Sequence, residues 1–224
     1  MHFFSFIKYF FYLAANWNIA IAWHIIKNEI KGEKKYGINT TGADDLRLLE
    51  NKGIDITHAT IYMPASYDIL ENIFHKLNMP SIHHFIDIGC GKGRALCVAA
   101  YLGVKKVTGI DFSKEFCALA IKNLQQVEQH NTGLKSSIIN NDAFYYQLPD
   151  DADCLFFFNP FDETIMSGVI QNIAASLKHN PRNMTIVYLN PLHKELLKKI
   201  GFVETYHIKK MNYLEGCILK KSEI

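Results

Sequence analysis

From residue 66 onward, apolar positions along the chain alternate between two periods. Ile69, Leu70, Ile73, Phe74 and Leu77 share one helical face, with Ser66 as a candidate cap and Pro80 closing the segment. Residues 85–88 are a short apolar run that predicts a buried strand, and 93–102 predict the helix after it. Residues 106–110 predict a second strand. The helix over 113–130 turns Phe116, Cys117, Ala120, Leu124 and Val127 inward. Two more strands follow at 136–139 and 154–158. Asp162 then caps a helix striped with Ile165, Val169, Ile173 and Leu177. A strand at 184–189 and a helix at 192–200, stopped by Gly201, complete the alternation. The last two runs, 202–208 and 217–219, have no helix between them and predict an edge hairpin. Alternating strands and helices imply a parallel sheet covered on both faces, an α/β doubly wound, Rossmann-like fold. Five such units plus the hairpin make seven strands.

The first 35 residues follow another pattern. From Phe3 to Ile26 the chain is apolar and aromatic, with Lys8 its only formal charge. On a helical wheel Ser5, Lys8, Tyr12, Asn16, His24 and Lys27 fall near one narrow face, and Phe3, Phe6, Phe10, Leu13, Trp17 and Ile21 elsewhere. Four readings compete: packing within the protein or a dimer, a membrane surface, a span, and a secretory signal. Asn16, Asn18 and His24 interrupt a span, and a signal needs more early positive charge. Packing leads, with peripheral membrane contact through residues 3–26 kept as an alternative. After Gly32 the stretch 37–42 has turn chemistry and reads as a loop. The division expected is an apolar helical extension over 1–35 and one domain over 36–224.

Composition narrows the function. The chain has 224 residues, is 49% hydrophobic and carries a formal charge of +2, so charge alone gives no reason to expect nucleic-acid binding. Five cysteines without a CxxC pair fit a reducing, cytoplasmic setting better than a disulfide framework. The ten histidines show no ligand spacing, so no metal is implied.

The chemistry gathers at Asp87-Ile88-Gly89-Cys90-Gly91-Lys92-Gly93, at the carboxyl end of the first predicted strand. Glycines there permit positive φ and close approach of backbone to a ligand. The crevice beyond strand ends is where doubly wound sheets bind nucleotides. A dinucleotide fingerprint, GxGxxG, would need glycine where Arg94 stands. The pattern GxGxG, with an acid two residues before its first glycine, resembles motif I of class I methyltransferases. The cofactor so implied is S-adenosyl-L-methionine, with Asp87 orienting its ammonium group along the loop of Gly89, Cys90, Gly91 and Gly93.

Asp111, after the second strand, could accept both ribose hydroxyls or serve as a helix cap. Phe112 beside it could pack on adenine. After the third strand, Asp142 is the candidate for the adenine amino group, with the Ala143 amide facing the ring. An ordinary loop role is the alternative. Asn159-Pro160-Phe161 follows the fourth strand, where donor and acceptor would meet, and is similar in part to the Asn-Pro-Pro-Tyr/Phe motif of amino-group methyltransferases. Asn159 could accept a hydrogen bond from an amine, and a plain strand-end turn competes with that role. No residue identifies itself as a general base. Tyr62, His58 and Tyr188 are candidates, each with a structural alternative.

With Tyr36-Gly37-Ile38-Asn39-Thr40-Thr41-Gly42, Tyr62-Met63-Pro64-Ala65-Ser66, Lys92-Gly93-Arg94 and Val187-Tyr188-Leu189-Asn190-Pro191, the chain resembles a small bacterial family of class I methyltransferases. That family usually carries Tyr-Glu-Pro where Met63 stands here. A looser similarity links Tyr62, Pro64, the glycine loop and Asn159 to the non-SET histone-lysine methyltransferases and to small mitochondrial lysine methyltransferases. The resemblance implies that Tyr62 and Asn159 line the cofactor pocket, and it raises a protein lysine or small-molecule amine as acceptor. A catalytically inactive module that binds the cofactor to regulate a partner is the alternative function.

Overall fold

The computed structural model describes residues 2–42, 63–158, 161–211 and 214–223. Helix α1 (His2–Asn16) and helix α2 (Ile19–Tyr36) precede the sheet, joined at Trp17-Asn18. The break corrects the expectation of one helix over 3–26. Asn18 is extended, and its side chain accepts from the Ile21 amide, so it caps a new helix. The α1–α2 seam buries Tyr9, Leu13, Ile21, Ala22, Ile25 and Ile26. Leu13 and Ile21 thus behave as the wheel predicts, whereas Trp17 stays exposed.

Helix α3 (Tyr67–Phe74) is shorter than its apolar stripe suggested. Ser66 does not cap it through its side chain, a second correction. Its hydroxyl is buried and accepts no hydrogen bond from the first-turn amides.

The sheet contains β1 (Phe85–Ile88), β2 (Lys106–Asp111), β3 (Lys135–Asn140), β4 (Cys154–Phe158), β5 (Met184–Leu189), β6 (Val203–Lys210) and β7 (Leu214–Lys221). The strand order is β3-β2-β1-β4-β5-β7-β6. The first five strands pair in parallel and β7 runs antiparallel to both β5 and β6. The final hairpin is longer than its apolar core implied, because ladder bonding continues through Lys209, Lys210 and Lys220, which carry no hydrophobic signal.

Crossovers run through α4 (Arg94–Tyr101), α5 (Lys114–Glu128), α6 (Glu163–His179) and α7 (Lys194–Lys199). Alternation along each strand builds two cores. Phe85, Cys154 and Phe156 face the layer holding Ile73, Phe74, Leu96 and Leu124. Ile86, Ile88, Leu155 and Phe157 face Met166, Val169, Ile173 and Leu197. At the amino end of the sheet, buried His84 bridges Asp151 and the Thr108 hydroxyl at 2.8 Å each, a structural tie remote from the strands' carboxyl ends.

One glycine sets how α2 sits. A Cβ on Gly32 would lie 2.3 Å from the Tyr67 ring, which is itself buried. We therefore expect Gly32→Ala to lower stability by about 1–3 kcal/mol through overpacking, despite the better helix propensity of alanine. Urea denaturation measures this, and a neutral or stabilising result would mean that α2 does not approach α3 so closely.

Candidate cofactor site

Strand order reverses between β1 and β4, the switch point beyond whose carboxyl ends doubly wound sheets take their ligands. The glycine loop leaves β1 at that point. Gly89, Gly91 and Gly93 have φ of 81°, 53° and 80°, conformations that side chains disfavour. The Gly89 and Cys90 amides both donate to the Ile110 carbonyl at 2.9 Å, which pins the turn to β2. Cys90 is buried, and burial pushes its thiol far above the ordinary range, so it is a packing residue rather than a nucleophile.

Asp87, at the third position of β1, is 3% exposed. Burial, then the nearby charge of Asp111, raises its carboxyl well above the usual range. Among the described residues no hydrogen-bond or ion-pair partner meets it. A buried carboxylate without a partner is costly, and an incoming cation would supply one.

Asp111 is held differently. Its Oδ2 accepts from the Gly91 amide at 2.8 Å and its Oδ1 from the Ser113 amide at 2.8 Å. Burial raises its pKa to about 6, and the two amides oppose that shift. Asp111 is not the helix cap. Ser113 fills that place, its hydroxyl accepting from the Phe116 amide. The carboxylate ties the glycine loop to β2, and each oxygen keeps a further acceptor site. Phe112 beside it is half-buried.

Asn140 and Asn141 carry the arrangement on to β3. Asn140 donates to the carbonyls of Asp111 and Phe112, and the Asn141 amide to the Asp111 carbonyl. Asp142 is exposed and caps a 3-10 turn over Ala143–Tyr145, its Oδ1 accepting from the Phe144 amide at 2.9 Å. Ala143 is buried at the start of that turn. The ends of β1, β2 and β3 therefore place Asp87, Asp111 and the turn at Asp142 along one edge of the sheet.

Tyr62, His58 and Asn159 lie outside the described residues. Tyr188 is fully buried in β5 against Phe157, and burial pushes its phenol up to about 12. That protonated, enclosed hydroxyl is a poor general base.

The sequence reading missed the network that fixes the loop from behind. Arg94, the first residue of α4, is 3% exposed. Its guanidinium pairs with Glu29 of α2 through two bonds of 2.8 and 2.5 Å, and donates to the Thr40 hydroxyl at 2.7 Å and the Ala65 carbonyl at 2.8 Å. It also lies 4.0 Å from the centroid of the Tyr67 ring. Glu33, one turn after Glu29, accepts from the Thr40 and Thr41 amides at 2.6 and 2.7 Å. Asn123 of α5 donates to the Lys92 carbonyl at 2.8 Å and accepts from the Asn39 amide at 2.9 Å. The segment 37–42 is thus a clamp between α2 and the glycine loop. The sequence signal for its ion pair was two acids four residues apart on the otherwise apolar side of a helix.

The raised carboxyls have a measurable consequence. A group whose folded pKa exceeds its unfolded value contributes stability below the unfolded pKa and loses it as pH rises. For Asp111 that loss runs from about 4 to about 6, and for Asp87, raised well above the usual range, it continues as pH rises further. We expect Asp87→Asn to gain stability relative to the natural chain as pH is raised, seen as a widening gap in thermal midpoints between pH 5 and pH 8. A gap independent of pH would contradict the assignment.

Comparison with known proteins agrees with this geometry. Residues 85–180 match the family described as a methyltransferase domain. In fold the chain is similar to a ribosomal protein L11 methylase from Lactobacillus delbrueckii subsp. bulgaricus, at 15% identity and a TM-score of 0.53, covering 69% of this chain and 78% of that one. It is also similar to a precorrin-6y C5,15-methyltransferase from Geobacter metallireducens, at 16% identity and a TM-score of 0.55, covering 71% of this chain and 90% of that one. No curated protein matches the chain. The fold is the Rossmann-like fold of class I methyltransferases, with a methyltransferase domain matched over β1 to α6.

Proposed function

We propose that this chain is an S-adenosylmethionine-dependent methyltransferase that acts on an amine of a small molecule or a protein lysine. The observation that carries the reading is Asp87, a buried carboxylate without a partner among the described residues, beside a loop of positive-φ glycines at the point where strand order reverses. The residues fit the cofactor's chemistry. Asp87 would receive the ammonium of its methionine part, Asp111 the ribose hydroxyls, and Asp142 with the Ala143 amide the adenine edge. Asn159 and Tyr62 are proposed to line the pocket, on the strength of the family resemblance.

The cofactor brings an activated methyl group on a sulfonium centre, ready for in-line displacement. The protein's part is chiefly alignment: a rigid loop and a fixed acceptor path shorten the search for collinear geometry. An amine acceptor must be neutral to attack, and a lysine of pKa near 10.4 must first lose a proton. An apolar channel would favour the neutral form, and Phe161, buried after β4, is proposed as one of its walls.

Incubating the purified chain with methyl-labelled S-adenosylmethionine and panels of amines and lysine-containing proteins tests the proposal. Label in an acceptor amine, lost in Asp87→Ala, supports it. Tight binding of the cofactor with no transfer to any acceptor would favour the inactive regulatory module.

A further inference from the structure

We infer that the α1–α2 hairpin is a docking surface for an anionic membrane, lying on the bilayer rather than crossing it. Its outward side is unusually apolar. Phe11 is 66% exposed, Trp23 67%, Ile19 71% and Ile30 49%. On α2, Ile19, Trp23 and Ile30 fall within about 40° of one another around the axis. Exposed Lys27, Lys31 and Lys34 occupy the adjoining sector. The α1 aromatics continue the patch, since Phe10 packs edge-on against Trp23 and against Phe11. Phe6 and Ile30 line a groove of about 450 Å³ that Lys34 and Lys122 of α5 also border.

Charge selects the occupant. From His2 to Asn28 the chain has no acidic residue, and the first two acids, Glu29 and Glu33, point inward to Arg94, Thr40 and Thr41. The exposed formal charge of the hairpin is therefore all positive: Lys8, Lys27, Lys31 and Lys34, with Lys35 paired to Glu71. Aromatic and branched side chains flanked by lysines on one face match an acyl-headgroup boundary, where lysine stems extend toward lipid phosphates. A second copy suits the patch poorly, because a two-fold contact would set the same lysines against each other. Among the described residues no helix is long and apolar enough to cross a membrane, so the contact is peripheral.

The test is flotation of the full chain with vesicles of phosphatidylcholine alone, or mixed in equal parts with phosphatidylglycerol. We expect binding to the anionic vesicles, weakened by salt, with a blue shift in tryptophan emission. Phe11→Ser with Trp23→Ser should reduce binding about tenfold or more. Lys27→Glu with Lys31→Glu should do likewise on anionic vesicles only. Unchanged thermal midpoints would show that these surface variants remain folded. Should either pair unfold the chain, Ile19→Ser and Lys34→Glu give the same reading singly. Equal binding to both vesicle types, no binding to either, or a dimer in light scattering that Trp23→Ser dissolves would each overturn the inference.

Discussion

Replacing Arg94 with alanine is expected to lower unfolding free energy by about 3–5 kcal/mol, the largest effect of any single substitution considered. The change leaves Glu29 without its cation at 0% exposure, and it strips donors from Thr40 and the Ala65 carbonyl. Burial already raises the Glu29 carboxyl, with Arg94 opposing. Without Arg94 the carboxyl rises further, so the defect should deepen with increasing pH and shrink in acid. Arg94→Lys should recover little, because one ammonium cannot reproduce the bidentate fork or lie over the Tyr67 ring in the same way. Arg94→Met combined with Glu29→Met should recover most of the loss, since removing both charges removes the unpaired one. Urea denaturation across pH measures all three variants. A loss below about 1 kcal/mol for Arg94→Ala would mean that the clamp contributes little.

The second large effect separates binding from stability. Asp87→Asn is expected to weaken S-adenosylmethionine binding by about 2–5 kcal/mol, thirtyfold or more, by removing the charge that meets a buried ammonium. The same change should leave the free protein as stable or more stable, because it removes a buried acid that has no partner among the described residues. Binding of the cationic ligand should also drive a proton from Asp87. Calorimetry in buffers of differing ionisation enthalpy reads that proton, which should vanish in Asp87→Asn. Joint loss of stability and affinity would instead make Asp87 a structural residue.

The contrast between Asp87 and Arg94 shows what the sequence could and could not reveal. Strand periodicity, the glycine spacing and the positions of Asp87, Asp111 and Asp142 are local signals, and they led to the doubly wound sheet, its final hairpin and the loop. The break at Trp17-Asn18 was harder to see. Both helices carry apolar stripes that merge on one wheel, and only the side chain of Asn18, folded back on Ile21, ends the run. Ser66 failed as a cap for a similar reason: its residue type is right, but its hydroxyl makes no bond to the first turn. The Arg94 clamp joins residues 65 positions apart, from Glu29 to Arg94, through a segment that reads as an ordinary turn. Long-range polar pairing leaves no period in a single sequence. Arg94 therefore entered only as the residue that excludes a dinucleotide and as part of a family motif, although it holds the glycine loop to the amino-terminal helices.

We propose that S-adenosylmethionine binds beyond the carboxyl ends of β1 and β2. Calorimetric titration of the purified chain with S-adenosylmethionine, S-adenosylhomocysteine and NADH in parallel tests it most directly. Saturable binding of the two sulfur nucleotides is expected, and none of NADH. Binding of NADH, or of none of the three to a folded chain, would contradict it.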